Sequence, residues 1–288
     1  MHLKISHETR FEYSAATTNS YNEARLCPVV DRHQSLLAYQ LAVVPAGSRR
    51  QHVDFYLNTV DTFEVVEAHS SLCVIAQSEV ETYPPKLDME TQLRGMSGRA
   101  EDHAGEFMSQ ETWEFLLETQ LVPKHPDLWK LGIDAADGQA NLWEEVIAIL
   151  DSVYKHLNYD PASTRVKTSA VEALEGGSGV CQDYAHVFLG VSRALKIPAR
   201  YVSGYLFIED QMNDIETLSA LASHAWVEVC FPGFGWIALD PTHNRLIDER
   251  YVTVARGRDY ADARPLSGAY MGASTGKMEV EVKIERMN

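Results

Sequence analysis

Residues 176–195 read GGSGVCQDYAHVFLGVSRAL. A glycine-rich turn runs directly into a helix whose apolar face is Ala185, Phe188, Leu189, Ser192 and Leu195, which puts Cys181 in the first turn of that helix. There the backbone N–H groups have no intrahelical acceptor and the helix dipole is positive. Both features lower a thiol's pKa and offer donors to an oxyanion. An isolated cysteine is ordinarily a small buried hydrophobe. Position at a glycine-rich helix start separates Cys181 from Cys27, Cys73 and Cys230, for which that ordinary reading stands.

Downstream, SHAWVEVCF (223–231) reads as a strand, and so does GWIALD (235–240). Alternation puts His224, Trp226, Glu228 and Cys230 on one face and Ala225, Val227, Val229 and Phe231 on the other. The second set is the expected core face, so His224 is expected at a cleft or in solvent beside an indole. Asp240 ends the next strand, and thiol, imidazole and carboxylate make a nucleophile, base and orienter set. Parity tests the set. If Phe231 opposes Trp236 across the turn, Asp240 points away from His224; if Phe231 opposes Gly235 across a three-residue loop, Asp240 lies diagonal to His224. The second register is the prediction, with Gly235 able to act as the bulge residue.

The rest of the chain gives the frame. Residues 1–85 read as a β-rich domain, with strands at Ser35–Val44 and within His52–Tyr83, closed by Pro84-Pro85. The stretch 86–106 is expected to be a polar linker, and 107–288 the domain that carries Cys181. A helix is expected over 111–121. Another follows Asn141, whose partner Glu144 makes a capping box and whose apolar face is Leu142, Val146, Ile149, Leu150, Val153 and Leu157. Ser169 and Glu172 cap a third. ARYVSGYLFI and MEVEVKIERM add strands to the later sheet. The order of β domain, helices and antiparallel sheet is α+β.

Composition narrows the function. The 288 residues are 45% hydrophobic and 23% charged, enough for one large or two modest domains and incompatible with disorder or coiled coil. With 41 acidic against 25 basic residues the net charge is −16, which offers no attraction to phosphate backbones or anionic lipid. The N-terminus MHLKISHETRFEYS lacks an apolar signal region, and no apolar run is long enough to span a bilayer. The expectation is a soluble, cytoplasmic protein that binds neither nucleic acid nor membrane. No CxxC pair suggests zinc, and no EF-hand-like loop suggests calcium.

GVCQDYAHVFLGVSRALKIPARYVSGYL followed by SHAWVEVCFPGFGWIALDPTHN resembles the core of the bacterial transglutaminase-like proteins, relatives of the papain-like cysteine proteases, over residues 140–265. GRDYADARPLSG (Gly257–Gly268) resembles the segment that follows this core, and the first 85 residues resemble the family's N-terminal domain. The resemblance implies a papain-like, transglutaminase-like α+β fold, with Cys181 as nucleophile, His224 as base and Asp240 as orienter. It implies acyl chemistry through a thioester on a peptide or protein amide, with no cofactor or metal. Hydrolysis by a peptidase or amidase is the first reading, protein-glutamine transamidation the alternative, and a non-catalytic binding module the second alternative. A side-chain oxyanion donor is expected upstream of Cys181 from Asn158, Tyr159 or Trp143, with Tyr159 first. His186, about 140° round the helix from Cys181, reads as a buried, hydrogen-bonded histidine, and Asp183 as a first-turn carboxylate. His243, just after Asp240 in PTHN, reads as part of a surface turn, with an approach to the site as the alternative.

Overall fold

The alternation that opens the chain runs on for 23 residues as β1 (His2–Ala24), with Leu3, Ile5, His7 and Thr9 on its buried face. The computed structural model describes residues 1–85, 88–109, 111–209, 223–273 and 275–287. Four strands follow: β2 (Gln34–Val44), β3 (Ser48–Val53), β4 (Thr59–Val65) and β5 (His69–Thr82). A register shift between Glu12 and Thr17 bends β1, so its first half pairs with β5 and its second half with β4. β2 lies beyond β5 and β3 beyond β4, all antiparallel.

The segment expected to be a polar linker is helical in part. It carries α1 (Met89–Arg94), a single 3₁₀ turn at Ala100–His103 and α2 (Ala104–Phe107). Leu93 and Ala100, with Phe107 just beyond the segment, are buried in the main core, and Met89 and Met96 pack against it, which fixes an otherwise polar stretch. Residues 111–121 do not form the expected helix; one 3₁₀ turn covers Trp113–Leu116. The helix is instead α3 (Pro126–Ala136), where Pro126 takes a first-turn position that needs no N–H donor.

At the start of α4 (Leu142–His156) only half of the expected box forms: Asn141 accepts from Glu144 N–H, but Glu144 Oε2 accepts from Ala140 N–H instead of Asn141 N–H. Ser169 with Glu172 forms the expected reciprocal box at α5 (Ala170–Gly176). The short strands β6 (Asn158–Tyr159) and β7 (Ser178–Gly179) pair in parallel beside the start of α6 (Cys181–Ala194). Apart from Cys181 and Ala194 at its ends, α6 is buried on every side, not on one face alone. It is enclosed by α3, α4 and α5 on one side and a five-stranded antiparallel sheet on the other. That sheet has the order β11-β10-β9-β8-β12, from β8 (Ala199–Leu206), β9 (Ser223–Phe231), β10 (Gly235–Asp240), β11 (Arg245–Leu246) and β12 (Tyr251–Gly257).

The last two strands are β13 (Leu266–Met271) and β14 (Gly276–Arg286), and both pair with β1. MEVEVKIERM, expected in the later sheet, therefore completes the N-terminal one. This return brings the first sheet against β8 and β12, where Leu3, Ile5, Val80, Tyr205, Val252 and Val254 share a core. On the opposite face of the five-stranded sheet, Trp226 of β9 is buried with Val202, Leu206 and Tyr251. Among the described residues, no helix is long and apolar enough to cross a membrane.

Candidate active site

β9 and β10 are joined by Pro232-Gly233-Phe234, and Phe231 pairs with Gly235 in the predicted register. Gly235 makes this possible because its φ of +77° is a conformation that a residue with a Cβ resists. The three-residue loop aims Asp240 at His224, and His224 Nε2 donates to Asp240 Oδ2 at 2.7 Å. Nδ1 is then the nitrogen available to the Cys181 sulfur, which lies within hydrogen-bond reach of the ring. The three residues expected from the sequence thus converge, from the start of α6, the start of β9 and the end of β10.

Asp240 is fully buried and holds more partners than the sequence suggested. Oδ2 also accepts from His243 Nδ1 at 2.6 Å and from the Tyr251 hydroxyl at 2.7 Å, and Oδ1 from Thr242 N–H at 2.8 Å. Burial alone raises a carboxyl's pKa; the His224 and His243 bonds overcome it and hold Asp240 far below the usual carboxylate range. Burial likewise pulls His224 down, but Asp240 and the Cys181 sulfur together raise it to about 10. His243, read as a surface-turn residue, is therefore a direct partner of Asp240. Tyr251 had no sequence signal, because its place depends on β12 crossing beside β8.

The other positions sort by location. Tyr159 is half-exposed and close enough to interact electrostatically with Cys181. Trp143 is buried in the core against Phe231 and cannot reach the sulfur, while Asn158 Nδ2 donates to Gly177 O. Gln182 donates to Val166 O. His186 is fully buried, accepts from Tyr260 N–H and is pushed down to about 3 by burial and then Arg193. Asp183 Oδ2 accepts from Val180 N–H and the Thr164 hydroxyl, a cap at the helix start. All four cysteines are free; burial pushes Cys27 and Cys230 up to about 11 and raises Cys73 as well.

Cys181 and His224 open onto a cleft of about 400 Å³. Its walls come from α6 and β8, from Tyr260 and Leu266, and from His7, Thr9, Met278 and Val280 of the first sheet.

The family model described as the transglutaminase-like superfamily matches residues 131–241, and that of the bacterial transglutaminase-like N-terminal region matches residues 3–81. Uncharacterized protein ML0607 of Mycobacterium leprae is 32% identical over 287 residues, covering 99% of both chains. The protein-glutamine gamma-glutamyltransferase of Pseudomonas aeruginosa is 32% identical over 132 residues, which are 42% of this chain and 20% of that protein. The solved structure of a candidate cysteine protease from Cytophaga hutchinsonii shares the fold. It has a TM-score of 0.78 at 24% identity, over 100% of this chain and 92% of that one.

Proposed function

The chain belongs to the transglutaminase-like superfamily, and on that premise we propose that it is a cysteine-dependent amidase or peptidase. The observation that carries the reading is the 2.7 Å bond from His224 Nε2 to Asp240, which leaves Nδ1 for the Cys181 sulfur. With Asp240 on Nε2, His224 Nδ1 takes the proton of the Cys181 thiol and leaves a thiolate beside an imidazolium. The thiolate attacks the amide carbonyl carbon. The oxyanion is met by the Cys181 N–H at the helix start and by the Tyr159 hydroxyl. His224 Nδ1 returns the proton to the leaving nitrogen, the C–N bond breaks, and an acyl thioester remains on Cys181. Water then gives a proton to His224 as its oxygen attacks the thioester; the acid leaves and the ion pair is restored. Asp240 stays ionised throughout, fixing the ring and supporting its positive form.

Hydrolysis is favoured over transfer to a lysine amine by the cleft's composition. Among the described residues, no Asp or Glu lines it to hold an ammonium group. The likeness to a protein-glutamine gamma-glutamyltransferase supports transamidation as the second reading.

Iodoacetamide labelling from pH 4 to 9, read by mass spectrometry, tests for the ion pair. Cys181 is expected to react well below pH 8 while Cys27, Cys73 and Cys230 stay slow, and His224→Ala is expected to remove the difference. Turnover of glutamine-containing peptides with and without a primary amine then separates the readings: released acid supports hydrolysis, and amide exchange supports transfer. A Cys181 as slow as the others would leave a non-catalytic binding module as the better account.

A further inference from the structure

The inward face of the first sheet does not stop where the core stops. On β1 the inward positions run Ile5, His7, Thr9, Phe11, and their partners on β14 are Ile284, Val282, Val280 and Met278. Opposed residues in an antiparallel pair share a face, so these eight side chains form one continuous stripe. At Val282 the stripe is covered, with 3% of the residue exposed; at Val280 and Met278 it emerges, with 45% and 56% exposed. Both emergent residues line the cleft of Cys181, beside Leu266 and Tyr260. An apolar strip that leaves a core and runs along a cleft wall lacks only something to cover it.

The polar groups on this wall carry no charge to compete with an apolar ligand. Thr9 is bonded to His7 Nε2, and His7 Nδ1 to the Tyr205 hydroxyl, so both are satisfied within the protein. Burial pushes His7 down to about 4, which keeps it neutral near pH 7. Among the described residues, no Asp, Glu, Lys or Arg lines the cleft.

Resting on the amidase reading above, we propose that β14, with Val280 and Met278 as its contact residues, forms the acyl-side subsite and selects peptides whose side chain next to the reacting carbonyl is apolar. The acyl part is the portion that stays bonded to Cys181 through both half-reactions, so it needs a fixed wall, while the amine side must admit water. A charged side chain would lose its hydration against Val280 and Met278 and, among the described residues lining the cleft, meet no Asp, Glu, Lys or Arg. The N-terminal sheet is in this way part of the substrate site, reached because the last strand of the chain returns to the first.

The test uses the full chain and three matched peptidyl chloromethyl ketones ending in leucine, glutamate or lysine, with the rate of Cys181 alkylation read by mass spectrometry. Iodoacetamide, which needs no subsite, is the control. The leucyl probe is expected to label at least tenfold faster than either charged probe. Val280→Glu and Met278→Glu, both at exposed strand positions, are each expected to slow the leucyl probe about tenfold with iodoacetamide reactivity unchanged. Rates within twofold across the three probes, or variants that keep the leucyl preference, overturn the subsite while an iodoacetamide-reactive Cys181 leaves the amidase reading intact. A Cys181 no more reactive than Cys73 toward iodoacetamide overturns both.

Discussion

His224 and Asp240 sit one diagonal step apart on adjacent antiparallel strands, joined from Nε2 to Oδ2 at 2.7 Å. The bond fixes which ring nitrogen faces the thiol, so the tautomer is set by a carboxylate that never meets substrate. Asp240→Asn keeps the size of the side chain but removes the charge and offers an N–H where the ring N–H must donate. We expect kcat for peptide-amide hydrolysis to fall by about 10³–10⁴ with KM little changed, in line with the loss of an orienting carboxylate in such sites. Stopped-flow and steady-state kinetics on the two proteins check this. A loss below tenfold would show that His243 and Tyr251 hold the geometry without the charge.

Tyr159 supplies a separate test of the oxyanion arrangement. Its hydroxyl lies near Cys181 on β6, a two-residue strand anchored to β7 just before α6. Tyr159→Phe removes only the donor, and the ring is half-exposed, so stability is expected to change by less than about 1 kcal/mol. The expected cost is about 10²–10³ in kcat, the size seen when one oxyanion donor is lost, with iodoacetamide labelling of Cys181 unaffected. Equal kcat in the two proteins would move the donor role elsewhere.

The parts of this site that are local in sequence could be read from it. The hairpin register follows from loop length and parity alone, and the helix start at Cys181 from glycine and spacing. What escaped the sequence is what depends on chain return. β14 pairs with β1 across nearly the whole chain, and no pattern within MEVEVKIERM says which sheet it joins. That one pairing brings Val282 into the core that Leu3 and Ile5 share with Tyr205 and Val252. It also converts Met278 and Val280 from surface residues into cleft wall. Tyr251 was missed for a related reason, since its meeting with Asp240 depends on β12 from a separate segment. His243, by contrast, reaches Asp240 from the turn three residues on, where only side-chain direction separates a surface residue from a partner.

Stability should fall on both sides of neutrality, for opposite reasons. His7 and His186 are buried and held neutral, at about 4 and about 3 against an ordinary 6.5. The unfolded chain binds those two protons first, so their contribution is present above pH 6.5 and is lost as pH falls toward 4 and 3. His224 is the reverse, raised to about 10. Its contribution is present below pH 6.5 and is lost as pH rises through 10. Urea denaturation at intervals from pH 5 to 9 is expected to show stability dropping by about 1.4 kcal/mol per pH unit for each buried neutral histidine near pH 5. His186→Gln is expected to remove about half of that acid slope, and His224→Ala to flatten the alkaline limb. A slope unchanged in His186→Gln would mean that the ring gains its proton without unfolding.

Gly204 faces His224 directly across the β8–β9 pair, and no other residue fits there. A Cβ at this position would stand 2.1 Å from the Val252 carbonyl oxygen of β12 and 2.5 Å from the Trp226 ring. The first of these is backbone, so β12 itself would have to move, taking Tyr251 away from Asp240. Gly204→Ala is therefore expected to cost more than an ordinary overpacked core, at least about 2–3 kcal/mol in urea denaturation. It is also expected to lower kcat through the loosened Asp240, although the residue touches neither sulfur nor substrate. Asp240→Asn and Gly204→Ala act on one carboxylate, so their kinetic losses should fall short of additive in the double variant. Fully additive losses would separate the β12 contact from the His224 and Asp240 pair.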